Sequence, residues 1–416
     1  MPMPVRFLDL VPSERAYELI AGFQPLPVEE MDPRQARGRV LAADVRAPED
    51  VPHFDRSNMD GYAVRAEDTA GACETSAVLL KVAGRVAMGA EATSRVERGT
   101  AVQVSTGAML PPGADAVVMV EDTEEEGSEL VAVRRSVVPG ENTIRTGEDV
   151  RRGEIVARRG RRLNGSDVGA LVGLGVTSVR VHRKPVVGVI VSGDEIVEPG
   201  KPLRPGQVRN ANEYLLCAMA AEREYTVRNC GVVPDRHADM VAALRQALAE
   251  CDAVFVSGGS SKGTHDLTRS AIEAIEGSEI LLHGIAIAPG KPTILARTGT
   301  KAIMGLPGNP AAVAVVFTLF GGALLRVLAG EPLERVLMTR PRVRARLARS
   351  LASTPGREDF VRVRLEQSEG SILAHPQIGK SFSLTTISRA DGVLSIPRSS
   401  EGLEEGSEVE VVLFQP

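Results

Sequence analysis

Between Lys184 and about Gly330, short apolar runs alternate with helical stretches, and this alternation constrains the fold more than anything else in the chain. PVVGVIVSG reads as a buried strand and NEYLLCAMAAERE as a helix. TVRNCGVV is a second strand, and HADMVAALRQALAE sets Val241, Leu244 and Leu248 on one helical face. DAVFVSGG is a third strand and LTRSAIEAI a helix, and KAIMGLPG is a further strand leading into a helix from Pro310. Strands separated by helices of this length predict a mostly parallel, doubly wound α/β sheet.

Ligands of such sheets bind at the carboxyl ends of the strands. Three polar loops fall there: Ser192-Gly193-Asp194-Glu195, Ser257-Gly258-Gly259-Ser260-Ser261-Lys262-Gly263-Thr264-His265-Asp266, and Leu306-Pro307-Gly308-Asn309-Pro310. Glycine lets a ligand approach the backbone, and a following helix N-terminus favours phosphate. Any one such loop reads equally well as a simple turn. Three at one sheet edge point to a site.

The flanking regions differ in texture. Ser13 to about Ala47 reads as helical, with Ser13 as N-cap, and helical texture returns at Gly165 to Gly175. Between them lie β-like runs (AVLLKVAGRV, TAVQVSTG, AVVMVE, LVAVRR) and an acidic turn, EDTEEEGSE. After about Leu333, RVRARLARS, DFVRVRLEQ and EVEVVLF read as strands. The expected organisation is a discontinuous helical domain (1–47 and 145–182), an inserted β-rich domain (48–144), the α/β domain (183–330) and a C-terminal β domain, barrel-like (331–416).

Length agrees: 416 residues correspond to several domains, and a 43% hydrophobic share gives each a core. With no Trp, few aromatics and a net charge of −5, the chain lacks stacking platforms and an attractive field for nucleic acid. Four scattered cysteines without a C-x-x-C pair fit a reducing, cytoplasmic compartment. The first twenty residues show no signal-peptide pattern. AAVAVVFTLFGGALL, Ala311 to Leu325, falls short of a membrane span and reads as a buried core helix.

Asp194, Glu195 and Asp266 are candidate helix caps. Alternatively, Glu195, Asp235 and Asp266 hold a divalent cation beside phosphates, with Lys262 and Lys291 offsetting phosphate charge. His265 reads as a satisfied polar residue, and no Walker, G-x-S-x-G or H-E-x-x-H pattern is present. In the β region, RSNMDGYAV packs more polar function than a hairpin connection requires. Ser105-Thr106-Gly107 and Gly147-Glu148-Asp149 are weaker signals of the same kind.

These motifs together resemble the molybdopterin molybdenumtransferase family, which comprises the bacterial MoeA type and the C-terminal domain of gephyrin. The segments run in family order: S-N-M-D-G-Y-A-V, S-T-G-A, G-A-D-A-V-V, G-E-D, S-G-D-E, S-G-G, P-G-K-P and G-L-P-G-N-P. The resemblance implies four domains and a homodimer whose active site joins the α/β domain of one subunit to the β-rich domain of the other. It also implies Mg²⁺-assisted cleavage of adenylyl-molybdopterin, with molybdate taken up by the dithiolene and AMP released. Further expected partners are the adenylyltransferase and acceptor molybdoenzymes.

Family positions map onto Asp60, Thr106, Asp149, Glu195, Asp235, Asp266, Lys291, Pro307 and Pro310, and the S-G-G loop adds Ser257, Gly258, Gly259 and Lys262. Asp60, Glu195 and Asp266 are the expected catalytic residues, Glu195 and Asp266 the expected Mg²⁺ ligands. Four departures stand out: S-G-G-S-S-K-G replaces S-G-G-V-S-x-G, Ala288 stands where a basic residue commonly precedes P-G-K-P, Ala311-Ala312 follows P-G-N-P where Val-Ser is frequent, and the arginine usual near G-E-D is only loosely matched by Arg145. Lys262 is expected to compensate for Ala288. Two other readings are molybdopterin adenylylation, which does not require the flanking regions, and a silent pterin-binding scaffold, which does not require the carboxylates.

Overall fold

The computed structural model describes residues 9–258, 264–368, 370–379 and 383–414, apart from the side chains of residues 264–266. Gly259 and Lys262, and the carboxyl of Asp266, lie outside that description. At the centre is a six-stranded sheet in the order Thr226–Val233, Val186–Ser192, Ala253–Gly258, Lys301–Leu306, Ile294–Thr298, Ser278–His283. The first four strands are parallel, as the alternation with helices predicts, and the last two are antiparallel. Those last two were not read from the sequence.

Side chains alternate across the sheet with period two. Phe255 joins Val187, Val189 and Phe317 on one face, while Val254 and Val256 join Ile190, Met240, Leu244 and Ile272 on the other. Both faces are covered by helices, which is why these strands are almost continuously apolar. The apolar run after Pro310 is longer than the sequence reading gave it. Pro310–Leu328 is long and apolar enough to cross a membrane, but 94% of its most apolar stretch is buried inside the protein. It packs on Phe255, whose ring meets Phe317 edge-on at 5.1 Å.

The N-terminal helical reading is corrected in part. Only Ser13–Ala21 is an α-helix, and Ala16 and Ile20 bury it against the α/β core. Ser13 is not its N-cap: Pro12 holds that position without a side-chain cap, and Ser13 Oγ donates to Glu358 Oε2 at 2.7 Å. Pro25, Pro27 and Pro33 then break the helical pattern. Val28–Met31 and Val40–Leu41 instead pair on either side of Val179–His182. The reading at Gly165 to Gly175 matches a helix, Gly165–Gly173, closed by an Asn164–Asp167 capping box.

The intervening region forms a second six-stranded sheet: Ala116–Met119, Gly61–Val64, Thr100–Val104, Val78–Val86, Leu130–Val133, Thr123–Glu126. Two sequence readings change here. The end of RSNMDGYAV is a fully buried internal strand, and the acidic segment keeps a turn only at Gly127–Glu129, its Thr123–Glu126 part being an edge strand whose exposed Glu124, Glu125 and Glu126 keep other strands away.

In the C-terminal region Arg342–Leu347, Glu358–Ser368, Ser371–Pro376, Gly392–Ile396 and Glu408–Leu413 close into a five-stranded barrel through pairing of Glu358–Ser368 with Gly392–Ile396. The expected barrel is present, with two strands the sequence reading did not name. A short parallel pairing of Ile287–Ala288 with Glu358 and Asp359 fastens the barrel to the P-G-K-P loop.

Candidate functional site

The three strand-end loops converge. Asn212 Nδ2 donates to Ser257 Oγ at 2.8 Å and to the Gly308 carbonyl at 2.7 Å, and Ser257 Oγ donates to the Pro307 carbonyl at 3.1 Å. Ser192 Oγ donates to Asp235 Oδ1 at 2.5 Å. Parallel neighbours end together at one edge, so the clasp follows from register: Ser192 lies opposite both Gly258 and Val233.

Two clefts flank this clasp and share Gly308 and Asn309. The first, 410 Å³, is lined by Ser192, Glu195, Asn212, Ser257, Gly258 and Pro310 among others. The second, 300 Å³, is lined by Ala288, Lys291, Pro307 and Arg357 among others. The first carries one carboxylate, Glu195, with Arg209, and the second carries Lys291 and Arg357. Glu195 is half-buried and lacks a partner among the described residues. Lys291 is exposed and equally unpartnered, while Arg357 is half-exposed and pairs with Asp359 at 2.8 Å.

Gly193 gives Glu195 its position. Its φ is +156°, and a Cβ there would stand 2.7 Å from Glu195 Oε2 and 2.8 Å from Ile196 Cγ1. Gly193→Ala should therefore leave the sheet intact but displace the Glu195 carboxylate. Turnover is expected to fall about tenfold, since sub-ångström displacement of a catalytic group is costly. Steady-state kinetics beside a thermal melt checks this; unchanged turnover would remove Glu195 from the chemistry.

The helix expected to begin after Asp266 starts earlier, at Thr264. Asp266 is therefore its third residue and does not occupy the N-cap position. Among the described residues no group of three His, Cys, Asp or Glu side chains gathers to hold a metal ion. Mg²⁺ does not need one, because one or two carboxylates with phosphate oxygens and water suffice.

The remaining sequence-predicted residues lie elsewhere. Asp60 Oδ1 accepts the Thr106 N–H at 2.8 Å, so those two form one constellation in the inserted sheet. Gly61 allows it: a Cβ there would stand 1.9 Å from the Val118 carbonyl oxygen. Asp149 lines a shallow groove with Val51, Glu154, Ala170 and Gly173. The loop before it is anchored by Asp55, which accepts both N–H and Oγ1 of Thr146 at 2.8 Å. The Thr146 N–H, above all, holds the Asp55 carboxyl below its ordinary range. None of Asp60, Thr106 or Asp149 lines either strand-end cleft.

Sequence reasoning named Ser192 only as part of a strand-end loop and missed Asn212 and Arg357. Arg357 sits in TPGRED, an ordinary turn by sequence, and reaches Ala288 through the barrel pairing.

A doubly wound domain with two adjoining polar clefts at the carboxyl ends of its strands has the form of a small-ligand-binding α/β protein. Residues 188–326 match the model described as "Probable molybdopterin binding domain". Residues 11–175 match the MoeA N-terminal region (domain I and II), and residues 344–414 the MoeA C-terminal region (domain IV). The chain is 33% identical to the molybdopterin molybdenumtransferase of Bacillus subtilis over 97% of this chain and 94% of that protein. It is 34% identical to molybdopterin molybdenumtransferase 2 of Mycobacterium tuberculosis over 91% and 93%. The crystal structure of the molybdopterin biosynthesis MoeA protein from Pyrococcus horikoshii superposes with a TM-score of 0.83 at 33% identity, covering 97% of this chain and all of that one. This chain belongs to the molybdopterin molybdenumtransferase family, the MoeA type.

Proposed function

We propose that this protein is the transferase that inserts molybdenum into adenylyl-molybdopterin, completing the molybdenum cofactor and releasing AMP in the cytoplasm. The observation that carries the reading is the pair of clefts joined at Gly308–Asn309, one bearing a carboxylate and the other cations. A substrate with a phosphoanhydride beside an incoming oxyanion needs both signs. Four free cysteines fit the compartment.

Lys291 and Arg357 hold anionic oxygens, either phosphate or molybdate. Glu195, with Asp266 from the first turn of its helix, would hold Mg²⁺, which supplies polarisation of the phosphate when bound. Pro307 and Pro310 shape the wall between the clefts. Asp235 holds Ser192 and thereby the end of its strand. Release of AMP from adenylyl-molybdopterin by purified protein tests the reading. It should require molybdate, and molybdate-independent release at the same rate would overturn it.

We further propose a homodimer in which Asp60 and Thr106 of one subunit complete the cleft of the other. Support comes from residues that stand apart from both strand-end clefts. Asp60 and Thr106 are exposed and belong to neither strand-end cleft. The helix Gly165–Gly173 buries only Leu171, leaves Val172 44% exposed and has open space above each of its three glycines. An apolar helix face of that kind ordinarily covers a partner. Light scattering at micromolar concentration should give twice the 44.2 kDa chain mass. A fully active monomer would exclude the shared site.

A further inference from the structure

We infer that Asn212 reads the heterocycle of the bound ligand through its amide oxygen; this rests on the ligand class proposed above. Asn212 opens the helix Asn212–Ala221, is 8% exposed and lines the Glu195 cleft. Both protons of its Nδ2 are committed, one to Ser257 Oγ and one to the Gly308 carbonyl. A carbonyl can only accept, so the NH₂ must face Gly308 and the amide cannot be turned over. Its Oδ1 is left buried without a donor among the described residues.

Asn210 and Ser192 in this cleft are already engaged, and Arg209, which is exposed, gives Nε to the Pro199 carbonyl at 3.1 Å. Asn210 Nδ2 gives its hydrogen bonds to Glu213 and Glu198, and Ser192 Oγ gives its own to Asp235. Buried acceptors without partners are rare in native proteins, and leaving one costs the desolvation of the oxygen. Whatever satisfies Oδ1 must bring a donor into the cleft. Ionised phosphate and molybdate oxygens are acceptors and would set lone pair against lone pair. They belong with Lys291 and Arg357, or with a cation held at Glu195, and not against Oδ1. The rings of the ligand do carry donors: ring N–H and exocyclic amine on the pterin, and the exocyclic amine on adenine. Asn212 therefore has two tasks, since its Nδ2 fixes the loops and its Oδ1 selects a ring edge bearing N–H.

Calorimetric titration of the full chain with molybdopterin and, separately, with AMP tests this. Asn212→Ala should weaken the probe whose ring occupies this cleft by about tenfold and leave the other nearly unchanged. A loss confined to molybdopterin assigns the pterin there; a loss confined to AMP assigns adenine. Ser257→Ala cuts the same clasp but keeps Oδ1, so the ratio of the two affinities should stay at its wild-type value. Equal losses of both probes in Asn212→Ala, or the same change of ratio in Ser257→Ala, would make Asn212 only a clasp and overturn the assignment.

A second measurement does not depend on whether Asn212→Ala folds. Wild-type protein is titrated with AMP dimethylated on its exocyclic amine and with a pterin methylated at its ring and exocyclic nitrogens. One of them should bind about tenfold more weakly than its parent. If neither does, Oδ1 reads no ring. Wild-type protein that binds neither parent probe would overturn the ligand class itself, and this assignment with it.

Discussion

Glu195→Ala and Asp266→Ala are each expected to fold like the wild type, bind adenylyl-molybdopterin, and lose at least about a hundredfold of AMP release in the presence of molybdate and Mg²⁺. The folding half follows from the surroundings. Glu195 is half-buried with no partner among the described residues, so its deletion breaks no contact seen there, and Asp266 stands third in its helix, past the N-cap position. Substitutions of that kind change stability by no more than about 0.5 kcal/mol.

The catalytic half follows from charge. A carboxylate lining a cleft meant for a phosphorylated ligand repels that ligand unless a cation stands between them. Polarisation of phosphate by a metal supplies several kcal/mol, and each 1.36 kcal/mol is about a factor of ten in rate. Single-turnover release of AMP beside a thermal melt measures both halves. If both variants turn over at wild-type rates, neither carboxylate takes part, and the acidic side of the site has to be sought at Asp60.

The α/β core was legible because each element announces itself locally. Val186–Ser192, Ala253–Gly258 and Lys301–Leu306 are mostly apolar runs, with polar residues only at or near their ends, and the helices between them carry period-3.6 faces. The strands Ile294–Thr298 and Ser278–His283 were not, because ILART and SEILLH carry charge at the antiparallel edge of the sheet and lack a helix between them. The N-terminal segment misled because SERAYELI is a strong helix signal, whereas the strands after it are two to four residues long and exist only through pairing with Val179–His182.

The site divides in the same way. Glu195, Ser257, Lys291, Pro307 and Pro310 sit in motifs at strand ends, where position alone points to a ligand. Asn212 and Arg357 owe their places to contacts across 45 or more residues of sequence. Asn212 reaches Ser257 through |i−j| = 45, and Arg357 arrives by a strand pairing between two domains. No local pattern encodes either.

Lys291→Ala and Arg357→Ala are each expected to reduce kcat/KM by about ten- to a hundredfold, and their combination by more than either alone, since a hydrogen bond to a charged group contributes about 1.5–3 kcal/mol. The sequence reading gave compensation for the missing basic residue at Ala288 to Lys262, which lies outside the described residues. The barrel offers a closer candidate. Ala288 pairs with Asp359, two residues beyond Arg357, and Arg357 lines the same cleft as Ala288 and Lys291. Asp359 takes Arg357 Nε at 2.8 Å and holds its guanidinium, leaving Nη1 with no partner among the described residues.

A planar, preorientated guanidinium suits a tetrahedral oxyanion better than a lone ammonium does. Arg357→Lys should therefore recover only part of the loss, while Arg357→Ala and Lys291→Ala should be less than additive if both hold one anion. Steady-state kinetics on the four variants, with molybdate and adenylyl-molybdopterin varied in turn, measures this. A KM change for molybdate alone assigns the pair to the incoming oxyanion, and one for the pterin alone assigns it to phosphate. Wild-type constants in the double variant would show that neither cation touches the substrate and return the role to Lys262.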